Sequence, residues 1–404
     1  MTAHTTLPDL PQPFGDAYRA DPHGVFTSLR AQGPVHQVAL PDGSHAWLVT
    51  READVRAGLA DQRLSVDKKH ANTGYRGFSL PPALDANLLN LDGEDHLRLR
   101  RLVSKAFTPR HVTGLRPRIE AAAGDLADRL AARIAADGRA DLVASFAAVL
   151  PLMVISDLFA VPEADRAAFS ALADRMLAPR RAQDVPEAVA GLHRLLVDLV
   201  AVRRGAPGED LLSALIAARD EEDRLSEDEL VSLAFLILLA GSENTRHVIS
   251  GGVLTLLQHP DQLAAVRSDP ALLPGVVEEL LRHGHPNQTA IRRFPTEPVE
   301  IGGVTVPAGE TVLLCLSSAH RDAARYEDPD RFDPGRADTG HLALGNGVHY
   351  CLGAPLARLE LTVAFETLLR RIPGLALAVQ EDGLVWDTSF RSHALRELPV
   401  TTTG

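Results

Sequence analysis

Between Ser226 and His259 the chain carries a helical signal that restricts its fold more than any other stretch does. It opens on a capping pattern, Ser226-Glu-Asp-Glu229, and stops at Pro260. At 1.5 Å per residue such a helix is about 50 Å long, enough to cross a whole domain. Its middle, "LAFLILLAG", is apolar on every side and so belongs in a core. The run Leu230–Gly241 is about twelve residues, short of the ~20 that span a bilayer. The pattern then breaks at Gly241, Ser242, Glu243, Asn244 and Thr245. Glycine inside a helix costs about 1 kcal/mol relative to alanine, and an unpaired buried carboxylate costs far more. Either the helix kinks here with its polar groups satisfied, or it opens to face a ligand.

Helical periodicity dominates from about Pro109 to Arg282, in "LRPRIEAAAGDLADRLAARIAA", "PEADRAAFSALADRML" and "VAGLHRLLVDLVAVRR". Strand signals flank it. "VHQVAL-PDGS-HAWLVT" alternates around an Asp-Gly turn and predicts a hairpin. "VEIGGVTVPAGETVLLCLS" returns to short strands, and "LALAVQEDGLVWDTSFR" reads as another hairpin-like region. There is no repeat, low-complexity linker or block of like charge. The expectation is a mainly α fold with small β-sheets (α+β), a single domain over residues 1–404 with 1–12 as a flexible N-terminus.

A chain of 404 residues, 45% hydrophobic, can bury a large core. Its net charge of −12 argues against nucleic acid as a partner. Two cysteines give no disulfide framework and fit a reducing compartment. The stretch "MTAHTTLPDLPQPFG" has neither the basic and apolar blocks of a signal peptide nor a membrane anchor, so a soluble cytoplasmic monomer is expected.

The two cysteines differ in setting. Cys315 sits in the apolar "VLLCLSS" and reads as a small buried hydrophobe. Cys351 sits in "LGNGVHYCLG", among Gly345, Gly347 and Gly353, just ahead of a helix, "LGAPLARLELTVAFETLLRRIP". Free N–H groups and the dipole at a helix start stabilise a thiolate. The glycines let backbone and a flat ligand approach closely.

Leu344 to Arg358, "LGNGVHYCLGAPLAR", resembles the haem-binding loop of the cytochromes P450, in which the cysteine thiolate is the proximal iron ligand. Further motifs fall in family order across the chain. Glu279-Leu-Leu-Arg282 resembles the family's Glu-x-x-Arg pair, and "AHRDAARYEDPDRFDPGR" its meander, with Arg336 matching the arginine that completes a buried Glu-Arg-Arg network. His96-Leu-Arg-Leu-Arg100 resembles the His-x-x-x-Arg of the C helix, and Ala240-Gly-Ser-Glu-Asn-Thr245 the oxygen-binding segment. The likeness runs from about Pro13 to the C-terminus and is similar in particular to soluble actinobacterial members that tailor natural products.

The resemblance implies haem b, with Cys351 as metal ligand and His96, Arg100, Arg293 and His349 serving its propionates. It implies a substrate pocket lined by Phe78, Asn87, Leu88, Leu236, Ala240, Asn287, Gln288, Ala290, Ile291 and Phe390, suited to a medium-sized, largely hydrophobic molecule. Two departures stand out. Leu344 occupies the place of the family's usual phenylalanine beside the thiolate. At the catalytic stretch Glu243 keeps the family's acid, but Asn244 stands where a threonine relays protons, and Thr245 follows one place, about 100° of helix, later.

Electrons are expected from an external ferredoxin and its reductase, because no Gly-x-Gly-x-x-Gly follows a strand and no cysteine cluster could hold iron–sulfur. The basic residues Arg98, Arg100, Arg101, Lys105 and Arg110 concentrate in "HLRLRRLVSKAFTPRH" and suggest a docking patch in an acidic chain. Three functions are compatible with these residues. The first is monooxygenation of a natural product. The second is radical coupling of aromatic substrates, such as tryptophan-containing cyclic dipeptides or aromatic polyketides, without oxygen insertion. The third, a thiolate haem sensor, would normally carry an output domain that is not expected in this length. In the coupling reaction Asn244 would replace a relay that is not needed. In the first it would hold a water or a substrate group in the relay, or it merely packs.

Overall fold

The computed structural model describes residues 10–72, 80, 82–85, 87–104, 107–177, 181, 183–220 and 225–403. The chain divides into two compact units, one of residues 1–78, 281–350 and 387–393, the other of residues 79–280, 351–386 and 394–404. The larger unit is helical. Its helices include α1 (Gly93–Ser104), α2 (Pro109–Asp137), α3 (Val149–Leu158) and α4 (Glu227–Gln258). They are followed by α5 (Leu273–His283), along which the chain passes to the smaller unit, and by α6 (Ala354–Arg371).

The Ser226–His259 signal forms α4 as expected, 32 residues without a break. Glu229 N–H donates to Ser226 Oγ at 3.1 Å while the Glu229 carboxylate accepts from Ser226 N–H at 2.7 Å, a reciprocal cap. Leu230 through Leu238 are all buried, so the all-round apolar run lies in the core. The glycines in α4 answer to packing. A Cβ on Gly241 would come within 2.6 Å of Ile155 on α3, and one on Gly252 within 2.5 Å of the Phe365 ring on α6. Close approach of side chains from neighbouring helices is therefore what these glycines accommodate.

Helix α6 packs along α2 and against α4, and Thr108 caps α2 through its hydroxyl. A small sheet in the same unit orders Ala140–Asp141, Pro399–Thr402 and Leu375–Leu377, all antiparallel. The hairpin expected near the C-terminus is thus different in detail. Leu375–Leu377 pairs with the last strand of the chain, not with the segment after Gly383, because an alternating pattern marks a strand without naming its partner.

The smaller unit holds strand β1 (Val35–Ala39), antiparallel to β2 (His45–Val49), with Val35 opposite Val49 and Ala39 opposite His45. Gly43 in the connecting turn has φ +76, the left-handed conformation that the Asp-Gly signal predicts. Strand β3 (Val312–Leu314) adds parallel to β2. Leu48, Leu313 and Cys315 join Phe14, Tyr18 and Phe26 in one core cluster. Residues 1–9 of the expected flexible N-terminus lie outside the described residues. Pro11 is held, since its carbonyl accepts Ala39 N–H at 2.9 Å.

Candidate active site

Cys351 lies three residues before α6 begins, half-buried. Burial pushes its thiol above the ordinary cysteine value, and four groups pull it back. The first is the backbone N–H of Gly353, followed by the charges of Arg100 and Arg358 and then the N–H of Ala354. Two of these are helix-start amides, as the sequence setting led us to expect; fuller burial and fewer opposing groups set Cys315 apart. Cys315 is fully buried, and burial drives its thiol far up, opposed by Ser318 N–H and the charge of Arg30. A Cβ on Gly353 would sit 4.0 Å from the Cys351 sulfur, so glycine leaves the space beside it clear.

Arg100 is on α1, one turn after His96, so the two share a face. His96 is 1% exposed. Desolvation lowers the Arg100 guanidinium and the Cys351 sulfur raises it again, which identifies the two as electrostatic partners. Arg358 was quoted from the sequence without a role. It stands seven residues after Cys351, two turns along, and grips Glu278 bidentately, Nε to Oε1 at 2.6 Å and Nη2 to Oε2 at 2.8 Å. The i+7 spacing was the available signal for it.

On α4 the break in the apolar pattern resolves into two classes of residue. Ser242 and Thr245 are buried, and their hydroxyls donate to carbonyls of their own helix: Ser242 to Leu238 O at 2.7 Å, Thr245 to Gly241 O at 3.2 Å. Leu239, Glu243, Asn244 and His247 are half-buried and Ala240 is exposed. Their spacing puts them on one stripe of an otherwise buried helix, the face a ligand would meet. Leu236 and Leu88 are buried at 7% and 8% exposure. Asn87 is buried with its amide engaged: Nδ2 donates to Leu84 O at 2.9 Å and Ser232 Oγ at 3.1 Å, and its oxygen accepts from Leu89 N–H. Phe78 and Lys105 lie outside the described residues.

In the smaller unit Arg293 is 4% exposed and its backbone bridges Val312. His349 is half-buried in a single turn, Gly347–His349. Ile291 is exposed, Ala290 packs on the core and donates to Leu314 O, and Asn287 pairs with Ser392. Gln288 is turned inward at 2% exposure, its Nε2 on Pro286 O and its Oε1 buried without a partner among the described residues. The Phe390 ring stacks near Phe14 and lies under Arg292. Glu279 is buried on α5, and Arg282, 2% exposed, donates to His320 O, Pro329 O and Arg331 O. Arg336 donates to Glu327 O, Asp328 O and Arg331 O.

The donor set fits haem. One soft sulfur with cations beside it and no bulk on the adjacent glycine suits a single thiolate ligand to iron. No other cluster competes, since no group of three or more histidine, cysteine or acidic residues could hold a metal among the described residues. Nor is any helix among them long and apolar enough to cross a membrane.

Comparison with known proteins points the same way. The family model "Cytochrome P450" matches residues 202–373. The chain is 46% identical to "Cytochrome P450 monooxygenase PikC" of Streptomyces venezuelae, covering 96% of this chain and 92% of that one. It is 41% identical to the 6-deoxyerythronolide B hydroxylase of Saccharopolyspora erythraea, over 99% of this chain and 100% of the other. Among solved structures, the tirandamycin C-bound P450 monooxygenase TamI superposes with a TM-score of 0.89 at 40% identity, over 97% of this chain and 100% of that one.

Proposed function

This chain belongs to the cytochrome P450 family, and on that premise we propose that it is a tailoring monooxygenase of specialised metabolism. Its substrate is a medium-sized, largely hydrophobic natural product, as relatives named for hydroxylating 6-deoxyerythronolide B and mycinamicin IV support. Haem b, when bound, supplies the activation of dioxygen. The observation that carries the reading is the setting of Cys351, a thiol with two helix-start amides and two arginines acting on its sulfur.

The chain's own residues do the rest. Cys351 binds as thiolate, and ligation deprotonates it outright. Arg100 and Arg358 lower the cost of that charge. His96, Arg100, Arg293 and His349 would hold the anionic edge of the cofactor by charge-assisted hydrogen bonds. Glu243 and Asn244 present polar groups on the open stripe of α4 and hold a water or a substrate group there. The single haem domain spans the whole chain, in line with alignments that cover nearly all of it.

Electrons come from a ferredoxin and its reductase. The docking patch is smaller than the charge count implies. Arg98 is paired with Glu229 at 2.5 Å and with Asp95, and Arg100 serves Cys351, which among the described residues leaves Arg101 and Arg110 as exposed cations of the patch, Lys105 lying outside them. The protein acts as a cytoplasmic monomer.

Radical coupling stands as a second reading on one observation: the threonine hydroxyl nearest the usual relay position is engaged with Gly241 O. Anaerobic titration with macrolide, terpenoid, aromatic polyketide and cyclic dipeptide candidates tests the proposal. A spin-state shift for one class, followed by labelled oxygen in its product, supports monooxygenation. Turnover with no label in the product replaces it with coupling, and reduction without turnover of any organic ligand would return the sensor reading.

A further inference from the structure

We propose that His320 is a positioning residue for the loop leading into Cys351, which it holds at Leu342 through a hydrogen bond that only a neutral imidazole can accept. The inference rests on the reading of Cys351 as haem ligand. Leu342 N–H donates to His320 Nε2 at 3.0 Å, with the residues 0% and 1% exposed. An accepting Nε2 puts the ring proton on Nδ1. Nδ1 is buried and makes no hydrogen bond among the described residues. The fold therefore leaves one ring nitrogen unsatisfied while using the other, and the use is the Leu342 bond.

The surroundings keep the ring neutral. Burial acts first, and the rings of His285 and His341, each 6.1 Å away, act with Arg282 and Arg321 in the same direction, well below the ordinary histidine range. Arg282 also donates to the carbonyl of His320 itself at 2.7 Å, so the arginine fixes the backbone from which the ring projects.

From Leu342 the loop runs through a short series of anchors. Gly345 N–H returns to Leu342 O at 2.9 Å, and Asn346 Nδ2 donates to Arg56 O at 3.1 Å. Gly347, at φ +73, lies so close to the backbone of Ala60 that a Cβ would come within 2.9 Å of its Cα. Tyr350 N–H then closes on Gly347 O at 3.1 Å, one residue before the cysteine. These later anchors fix the middle and end of the loop. His320 fixes its start, and a second-tier contact of this kind governs how well a metal ligand is held.

The test compares His320→Gln with His320→Met in the haem-loaded protein. The two side chains are close in length and volume, and only glutamine offers an acceptor where Nε2 lies. The readout is the lifetime of the red-shifted absorption of the reduced carbon-monoxide complex, the signature of thiolate ligation. His320→Gln should stay within about twofold of the unsubstituted protein, and His320→Met should lose the band about tenfold faster, the equivalent of one hydrogen bond. Equal lifetimes for His320→Met and the unsubstituted protein would overturn the proposal, and so would equal acceleration in both variants. If His320→Met does not accumulate in folded form, His320→Gln decides alone: a native lifetime supports the role and a shortened one refutes it. Absence of the band from the unsubstituted protein would refute the Cys351 reading instead.

Discussion

Arg282 and Arg336 donate to the same backbone carbonyl, that of Arg331, each at 3.1 Å. Arg282 reaches on to His320 O and Pro329 O at 2.7 and 2.8 Å, and Arg336 to Glu327 O and Asp328 O at 2.5 and 3.2 Å. Residues 320–336 form no sheet and almost no helix, so their carbonyls need donors from elsewhere. Two guanidinium forks supply them, because five N–H groups in a plane can serve several carbonyls at once where an ammonium cannot.

Arg282→Lys should therefore cost about 3 kcal/mol or more, two charge-assisted hydrogen bonds at about 1.5–3 kcal/mol each. Arg336→Lys, at a more accessible position, should cost about half as much. The double variant should lose more than the sum, since either arginine alone still serves Arg331 O and only the double variant leaves that carbonyl without a guanidinium donor. Denaturant midpoints for the three variants check this, and strict additivity would contradict the shared role of Arg331 O.

For the proximal ligand, Cys351→Ser should abolish the red-shifted absorption of the reduced carbon-monoxide complex. Cys315→Ser should keep it, because Cys315 lies in a core cluster with Leu48 and Leu313. The reverse result would remove the assignment. Arg358→Ala should weaken the band without abolishing it, as Arg358 acts on the sulfur only through its charge.

Cofactor retention depends on cations held in low-dielectric surroundings. Arg100 and Arg293 should each contribute about 1.5–3 kcal/mol to haem binding. The double Arg100→Ala, Arg293→Ala variant should accumulate mostly as apoprotein, measured as the ratio of haem to protein absorbance. Full occupancy in that variant would exclude both from the propionate role.

Acid sensitivity follows from histidines that the smaller unit keeps neutral. Burial lowers His285 and His393 to about 4 and, with help from Arg321, His23 to about 3. An unfolded histidine takes up its proton near pH 6.5 while these do not, so the unfolded state binds more protons and stability falls as pH drops below about 6.5. The loss continues down to each folded value and then levels off. Each such histidine contributes a slope of up to about 1.4 kcal/mol per pH unit in that window. His285→Gln should flatten the dependence of the melting temperature between pH 6.5 and 4, and an unchanged slope would show that His285 is not kept neutral.

The parts of this fold legible in the sequence are those that short-range physics determines. The capping box at Ser226 and the all-round apolar run fixed α4 to within a residue, and the Asp-Gly turn marked the β1–β2 hairpin. Cys351 stands out in the sequence as a lone thiol among glycines ahead of a helix, whereas the packing of Gly347 against the backbone of Ala60 does not. Long-range partners were not legible. Nothing near Leu375 says that it pairs with Thr402, nothing near Arg98 says that Glu229 takes its charge, and nothing near His320 says that its ring accepts from Leu342. Nor does anything near Gly241 say that Ile155, 86 positions upstream, is the neighbour that a side chain there would strike.

The last prediction concerns Asn244. Thr245 Oγ1 donates to Gly241 O at 3.2 Å from a buried position, so its hydroxyl is committed to its own helix. Asn244 and Glu243 lie instead on the half-buried stripe with the exposed Ala240. An amide can donate and accept but cannot pass a proton as a hydroxyl does. Asn244→Thr should therefore shift the partition between product and released hydrogen peroxide per electron consumed. Thr245→Val, which removes only a back-bonded hydroxyl, should leave that ratio within about twofold. If Asn244→Thr leaves the ratio unchanged while Thr245→Val moves it, the roles are exchanged and Thr245 turns toward the substrate during turnover. Labelled dioxygen then decides the chemistry of the unsubstituted protein. Label in the product requires oxygen insertion, and the Asn244→Thr ratio then decides whether Asn244 takes part in the relay. A dimeric product free of label requires coupling, for which the amide is sufficient as it stands.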